Sequence, residues 1–254
     1  MAVNDRFRFL RWSFWRLAIG LPSILRTGQV GDGREAAAVQ YVLSHARAGD
    51  LDDVIATIDR FARQESLLIN VGDEKGLLLD AAVRRSMRNS AAGLALELGT
   101  YCGYGALRIA RAAPQARVYS VEMTAANAEN ARRIWAHAGV ADRVTCVVGT
   151  IGDGGQTLDA LSGHGFGPDA LDLLFIDHDK NAYLPDLRSI LGRNWLHRDS
   201  VVVADNVLFP GSPKYRAYMR RSQEFDTVEH RTHAEYTKIP DLVLESTYRG
   251  QIRG

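Results

Sequence analysis

LALELGTYCGYG, residues 94–105, decides how the rest of the 254-residue chain is read. An apolar run reaches a carboxylate at Glu97, breaks at Gly99, and gives way at Tyr104 to apolar residues at helical spacing. The order is strand, tight turn, helix start. In open α/β sheets a turn of this kind, at the C-terminal end of a strand, is where a nucleotide-like ligand sits.

From this turn onward strands and helices alternate. Strands are expected at 94–98, 117–122, 144–148, 171–177 and 201–205, with helices at 104–113, 125–138, 155–162, 183–191 and 213–221. Such alternation implies right-handed crossovers, hence five parallel strands with helices on both faces. Segments 224–230 and 242–248 add two strands joined by a short loop, which pair antiparallel at one edge. Upstream, 34–48, 51–66 and 73–88 carry helical spacing, so three extra helices precede the sheet. The fold expected is a Rossmann-like, doubly wound α/β sheet. INVGD, residues 69–73, lies between the second and third of these helices and reads as a connector ending at a helix N-terminus.

The domain division expected is an N-terminal segment and linker over 1–33, then one domain over 34–254. Residues 7–26 are apolar at 7, 10, 14, 17, 21 and 24, with Arg6, Arg8, Arg11, Arg16 and Arg26 interspersed. The longest charge-free run there, Leu17–Leu25, is nine residues, against about 20 for a membrane span. Three readings stay open for this segment: a helix packed on the domain, a partly ordered tail, or a peripheral helix in a membrane interface. Net charge is +1 and the remaining chain has no basic, aromatic-laced run, which gives nucleic-acid binding no support. The two cysteines, Cys102 and Cys146, form neither a disulfide framework nor a metal spacing, as expected of a reducing, cytoplasmic setting. The partner expected is a small molecule; nothing in the sequence addresses oligomeric state.

Parallel strands finish at one edge, so their C-terminal residues share one crevice. There stand Glu97 and Gly99, Glu122, Asp177 with His178, Asp179 and Lys180, and Asp205 with Asn206. Glu122 follows Gly99 by 23 residues, near the ~20 typical of an acid that binds a ribose hydroxyl. The turn lacks the glycine spacing of a dinucleotide fingerprint, and Glu97 would repel a pyrophosphate. S-adenosylmethionine, an adenosyl cation without phosphate, suits the acids better than a nicotinamide cofactor does. Asp177, Asp205 and Asn206 are hard oxygen donors with two formal charges, the donor set of Mg²⁺ rather than of zinc. Either aspartate alone reads equally well as a helix cap. Lys180, three residues beyond Asp177, is a candidate general base beside such a metal, against the plain alternative of a surface lysine.

INVGDEKG, LELGTYCGYG, SVEM, FIDHDK, YLPD, VVVADNV, FPGSP and AEY together resemble the catechol O-methyltransferase family, in order and spacing, over roughly residues 34–250. The resemblance implies a Mg²⁺-dependent transfer of the S-adenosylmethionine methyl group to one hydroxyl of a catechol. It implies Asp177, Asp205 and Asn206 as metal ligands, Lys180 as base and Glu235 as the acid holding the second hydroxyl. It implies cofactor contacts at Val71, Glu97, Gly99, Tyr101, Tyr104, Glu122 and Met123, with His178 beside the adenine and Pro210 as an apolar wall. The substrate would thus meet Asp177, Lys180, Asn206, Pro210 and Glu235. Asp179 and Leu67 stand where the family carries tryptophan, Gly105 where it carries serine, and Ile151 and Gly152 where it carries polar residues. A non-catalytic, membrane-associated binder that keeps the cofactor fold is the alternative, disfavoured by the intact set of acids, amide and lysine.

Overall fold

The computed structural model describes residues 29–250 apart from residue 89, together with Ile19, Gly20 and Ser23. Most of the 7–26 segment, with its membrane-interface reading, lies outside the described residues. Among those described, no helix is long and apolar enough to cross a membrane.

Three helices come first: α1 (Arg34–His45), α2 (Leu51–Gln64) and α3 (Gly72–Ser86). The sheet then begins with β1 (Leu94–Leu98), α4 (Tyr104–Ala112), β2 (Arg117–Glu122), α5 (Ala125–His137) and β3 (Val144–Val148). It continues with α6 (Gln156–Ser162), β4 (Leu171–Ile176), α7 (Tyr183–Gly192), β5 (Leu196–Ala204), α8 (Pro213–Arg221), β6 (Phe225–His233) and β7 (Pro240–Tyr248). Spatial order is β3-β2-β1-β4-β5-β7-β6. The first five strands pair in parallel, while β7 runs antiparallel to both β5 and β6. The strand order reverses between β1 and β4, and both strands end at the crevice predicted from the sequence.

Side-chain alternation along the strands builds two cores. Ala95, Val118, Leu173, Phe175, Val201 and Val203 pack with α1 to α5. Leu94, Leu96, Leu98, Leu174, Ile176 and Val202 pack with α6 to α8. Burial on both faces explains why these strands are continuous apolar runs rather than alternating ones.

Several boundaries differ from the sequence expectation, and three differences bear on the sheet and its rim. The fifth strand starts at Leu196 instead of Val201, across a register shift between Leu171 and Leu173 of its neighbour. The polar residues His197, Arg198 and Asp199 hide that start. β6 extends to His233 because the ladder with β7 runs unbroken from Phe225↔Tyr248 to His233↔Pro240. Its side chains are mostly half-buried or exposed, as at a sheet edge, so no apolar alternation marks its end. Finally, a tight π-type turn, Val207–Gly211, with a cis Phe209–Pro210 bond, follows Asn206.

Candidate active site

The turn after β1 is fixed by backbone geometry. Gly99 has φ +100, and a β-carbon there would stand 2.2 Å from the Asp177 carbonyl oxygen. Glycine is therefore what lets the end of β1 lie against the end of β4. Glu97 is buried at the floor, accepting a very short hydrogen bond from the Ser120 hydroxyl. Burial pushes its pKa up to about 8, with Ser120 opposing and the Asp177 and Glu122 charges adding. Gly105 leaves room for this carboxylate: a β-carbon there would stand 2.1 Å from Glu97 Oε1.

Glu122 accepts the Tyr101 N–H at 2.9 Å and the Thr124 N–H at 3.0 Å, one on each oxygen. Oε1 also faces the Asn127 amide at 3.5 Å, while Oε2 keeps a further lone pair for a ligand. Burial raises this acid, and the two main-chain donors pull it back. Met123 beside it is 50% exposed, an apolar side chain left open at the rim. His178 Nε2 is hydrogen-bonded to Asp186 Oδ2 at 2.8 Å, its ring stacked on Tyr183, while its buried Nδ1 has no partner.

Tyr101 and Tyr104 anchor the turn through their side chains. The Tyr101 hydroxyl donates to Glu35 on α1 at 3.0 Å, and the Tyr104 hydroxyl to Asp59 on α2 at 2.8 Å. Both rings are buried and tie the turn to the N-terminal helices. Val71 is buried at the start of α3, where Asn70 Oδ1 accepts the Gly72 N–H at 3.1 Å. A β-carbon on Gly72 would stand 3.6 Å from Glu235, so the INVGD connector and the β6–β7 loop lie side by side.

At the ends of β4 and β5, Lys180 Nζ donates to Asp177 Oδ1 at 3.0 Å, Asn206 Oδ1 at 3.3 Å and the Tyr183 hydroxyl at 2.5 Å. The Tyr183 hydroxyl donates to the Asp205 carbonyl at 2.9 Å. Asp205 is fully buried; its Oδ1 accepts the Asn206 N–H at 2.6 Å and pairs with Lys75 at 2.7 Å, while Oδ2 has no partner. Burial pushes Asp205 up to about 8, Lys75 opposing and the Asp177 and Glu235 charges adding. A buried carboxylate oxygen with no donor, next to a second carboxylate and an amide oxygen, fits a hard divalent cation. Asp177, Asp205 and Asn206 could hold one on this side of the crevice.

Two members of this site, Lys75 and Asp241, are absent from the sequence reading. Lys75 Nζ lies 2.5 Å from Glu235 Oε1 and 3.1 Å from Asp241 Oδ2. Asn206 Nδ2 donates to those same oxygens at 2.6 and 3.0 Å. Asp241 Oδ1 accepts the Leu208 and Phe209 N–H groups, holding the turn that carries Pro210. Pro210 is exposed. The signal for Lys75 is its place among Gly72, Gly76 and Leu79 on the buried face of α3, a lysine within a helix's apolar stripe. Of the departures from the family pattern, Leu67 is buried with its carbonyl bonded by Arg34, whereas Asp179 is exposed and accepts the Asn181 N–H.

The family model for O-methyltransferases matches residues 48–228. The chain belongs to the O-methyltransferase family. This O-methyltransferase is 70% identical over 237 residues to a probable O-methyltransferase of Mycobacterium tuberculosis, covering 92% of this chain and all of that one. It is 38% identical to catechol O-methyltransferase B of Danio rerio, over 85% of this chain and 80% of the relative. Catechol O-methyltransferase of Bos taurus is 34% identical, over 89% of this chain and 80% of its own length. Among solved structures, the O-methyltransferase from Bacillus cereus in complex with SAH superposes with TM-score 0.60 at 21% identity, covering 84% of this chain and 97% of that one. That likeness supports the fold.

Proposed function

We propose that this O-methyltransferase moves the methyl group of S-adenosylmethionine to one hydroxyl of a catechol and depends on Mg²⁺. One observation carries the reading: the partnerless buried Oδ2 of Asp205 stands with Asp177 and Asn206 beside Lys180. The similarity to catechol O-methyltransferases of fish and cattle supports the substrate class.

Glu97 at the floor offers a carboxylate to the cationic end of the cofactor, Glu122 offers a lone pair to the ribose, and Met123 and the His178 ring flank the adenine. Lys180 accepts the proton of the reacting hydroxyl at Nζ, and that oxygen forms its bond to the methyl carbon as the carbon–sulfur bond breaks. Glu235, partly open at the rim, accepts a hydrogen bond from the second hydroxyl. Mg²⁺ held by Asp177, Asp205 and Asn206 would supply Lewis acidity to the catechol oxygens. Holding nucleophile and methyl in line contributes roughly 7–11 kcal/mol to such a reaction.

The test is a panel of catechols incubated with S-adenosylmethionine, with Mg²⁺ or with EDTA, and read by mass spectrometry. A singly methylated product only with the metal is the result expected. Equal product in EDTA rejects the metal role, and no product from any catechol rejects the substrate class.

A further inference from the structure

Among the described residues, Asp205, Glu235 and Asp241 bring carboxylate oxygens within 4.8 Å of one another, a grouping able to take a cation. That place is held by the chain's own lysine. Lys75 Nζ reaches Asp205 Oδ1 at 2.7 Å, Glu235 Oε1 at 2.5 Å and Asp241 Oδ2 at 3.1 Å, and its side chain is 1% exposed. An ammonium has three N–H donors, so one meets each carboxylate.

The consequence reaches the metal side through Asn206. An amide's oxygen and NH₂ group are nearly the same shape, so its orientation follows what faces it. Here Nδ2 donates to Glu235 Oε1 and Asp241 Oδ2, the two oxygens that Lys75 also holds. Oδ1 is thereby turned to Lys180 and the Asp177 side of the crevice. Asp241 Oδ1 meanwhile fixes the turn bearing Pro210 through the N–H groups of Leu208 and Phe209.

We infer that Lys75 is a positioning residue of the transfer site: a built-in cation that fills the Asp205–Glu235–Asp241 cluster, orients Asn206 and limits the rim to one divalent ion. The inference rests on the metal-dependent reading proposed above. Without the ammonium, three carboxylates at this spacing repel one another and recruit a second divalent ion. Without the Asp241 charge, the Asn206 amide loses one of its two guides.

The experiment is a Mn²⁺ titration of the full chain followed by electron paramagnetic resonance, with S-adenosylmethionine binding measured in parallel by calorimetry. The unsubstituted protein binds one Mn²⁺. Lys75→Met raises this to two. Asp241→Asn keeps one ion but weakens it about ten- to hundred-fold, the scale on which residues orienting metal ligands act. In both variants S-adenosylmethionine affinity stays within about two-fold. One Mn²⁺ at unchanged affinity in both variants overturns the inference, and so does loss of S-adenosylmethionine binding in both, which makes the cluster a general structural element. If Lys75→Met does not fold, Asp241→Asn decides alone. If the unsubstituted protein binds no Mn²⁺ and methylates equally in EDTA, the metal-dependent reading fails first and the inference falls with it.

Discussion

Gly99 lies so close to Asp177 that a β-carbon would stand 2.2 Å from the Asp177 carbonyl oxygen, at a backbone φ of +100. Through this contact the cofactor turn after β1 and the acidic end of β4 form one surface. Gly99→Ala meets both a disfavoured φ and main chain that has no flexible side chain to yield. The expected loss is roughly 3 kcal/mol, from backbone strain plus overpacking, or a Tm about 6–12 °C lower for a chain of this size. S-adenosylmethionine affinity should fall together with Mn²⁺ affinity. A variant of unchanged Tm that binds both normally would show that the two ends are not coupled through this glycine.

Buried charge makes the second stability prediction. Asp80 accepts from Arg108 Nε at 3.0 Å and Nη2 at 2.7 Å, and from Arg111 at 2.5 Å, with Asp80 and Arg108 both buried. The guanidinium leaves no room at Gly76, where a β-carbon would lie 2.5 Å from Arg108 Nη1. Asp80→Ala leaves Arg108 without its carboxylate in the core and should cost about 3–5 kcal/mol. Chemical denaturation should show a lower midpoint. Because Arg108 also donates to Tyr104, and Tyr104 and Tyr236 both donate to Asp59, the loss should spread to the loop holding Glu235. A change in stability below about 1 kcal/mol would show that water replaces the carboxylate.

The division of labour between sequence and contact is visible in these same residues. Glu97, Asp177 and Asp205 could be placed together from the sequence because parallel strands end at one edge, and the apolar runs before them mark where each strand ends. Helix α4 was legible for a similar reason: Gly103 at positive φ punctuates its start. Asp241 carries no such signal, and Lys75 only its place on a helix's buried face, since the meaning of both comes from a contact across 166 positions of chain. A lysine in INVGDEKG reads as one more helical charge until Glu235 and Asp241 arrive from the far end of the chain. The bonds of the Tyr101 and Tyr104 hydroxyls to Glu35 and Asp59 are hidden likewise, because those acids lie on helices whose packing no local pattern states.

Glu97 predicts a pH dependence. Burial lifts its pKa from the ordinary 4.5 to about 8. Between those values the folded chain holds a proton that the unfolded chain has released, so this group's contribution to stability declines as pH rises through the window and levels off above about 8. Binding a cation beside Glu97 favours the ionised form and reverses the slope. Affinity for S-adenosylmethionine should therefore rise from pH 6 to about 8, with a proton released on binding. Calorimetry in buffers of different ionisation enthalpy reads that proton. Glu97→Gln should flatten the profile and weaken binding about ten-fold at the high-pH end, the loss of one charge-assisted hydrogen bond. A flat profile in the unsubstituted protein would show that Glu97 does not face the cation.

Lys180 is placed to separate proton transfer from charge alone. Its Nζ sits among Asp177 Oδ1, Asn206 Oδ1 and the Tyr183 hydroxyl, and its carbonyl accepts the Ser212 hydroxyl at 2.7 Å, which fixes the main chain beneath it. A cation on Asp177 and Asn206 would take over the oxygens that now hold Nζ, and it is the neutral amine form of Lys180 that accepts the hydroxyl proton. Lys180→Ala should lower kcat by about 10²–10⁴, the range for a general base, while S-adenosylmethionine affinity is retained. Lys180→Arg keeps the charge but cannot lose its proton, so it should be as slow as Lys180→Ala. If arginine restores turnover to within a few-fold, Lys180 acts through its charge and another group takes the proton. Steady-state kinetics of both variants at saturating catechol and Mg²⁺ distinguish these outcomes, because a defect confined to substrate binding would appear in KM and leave kcat unchanged.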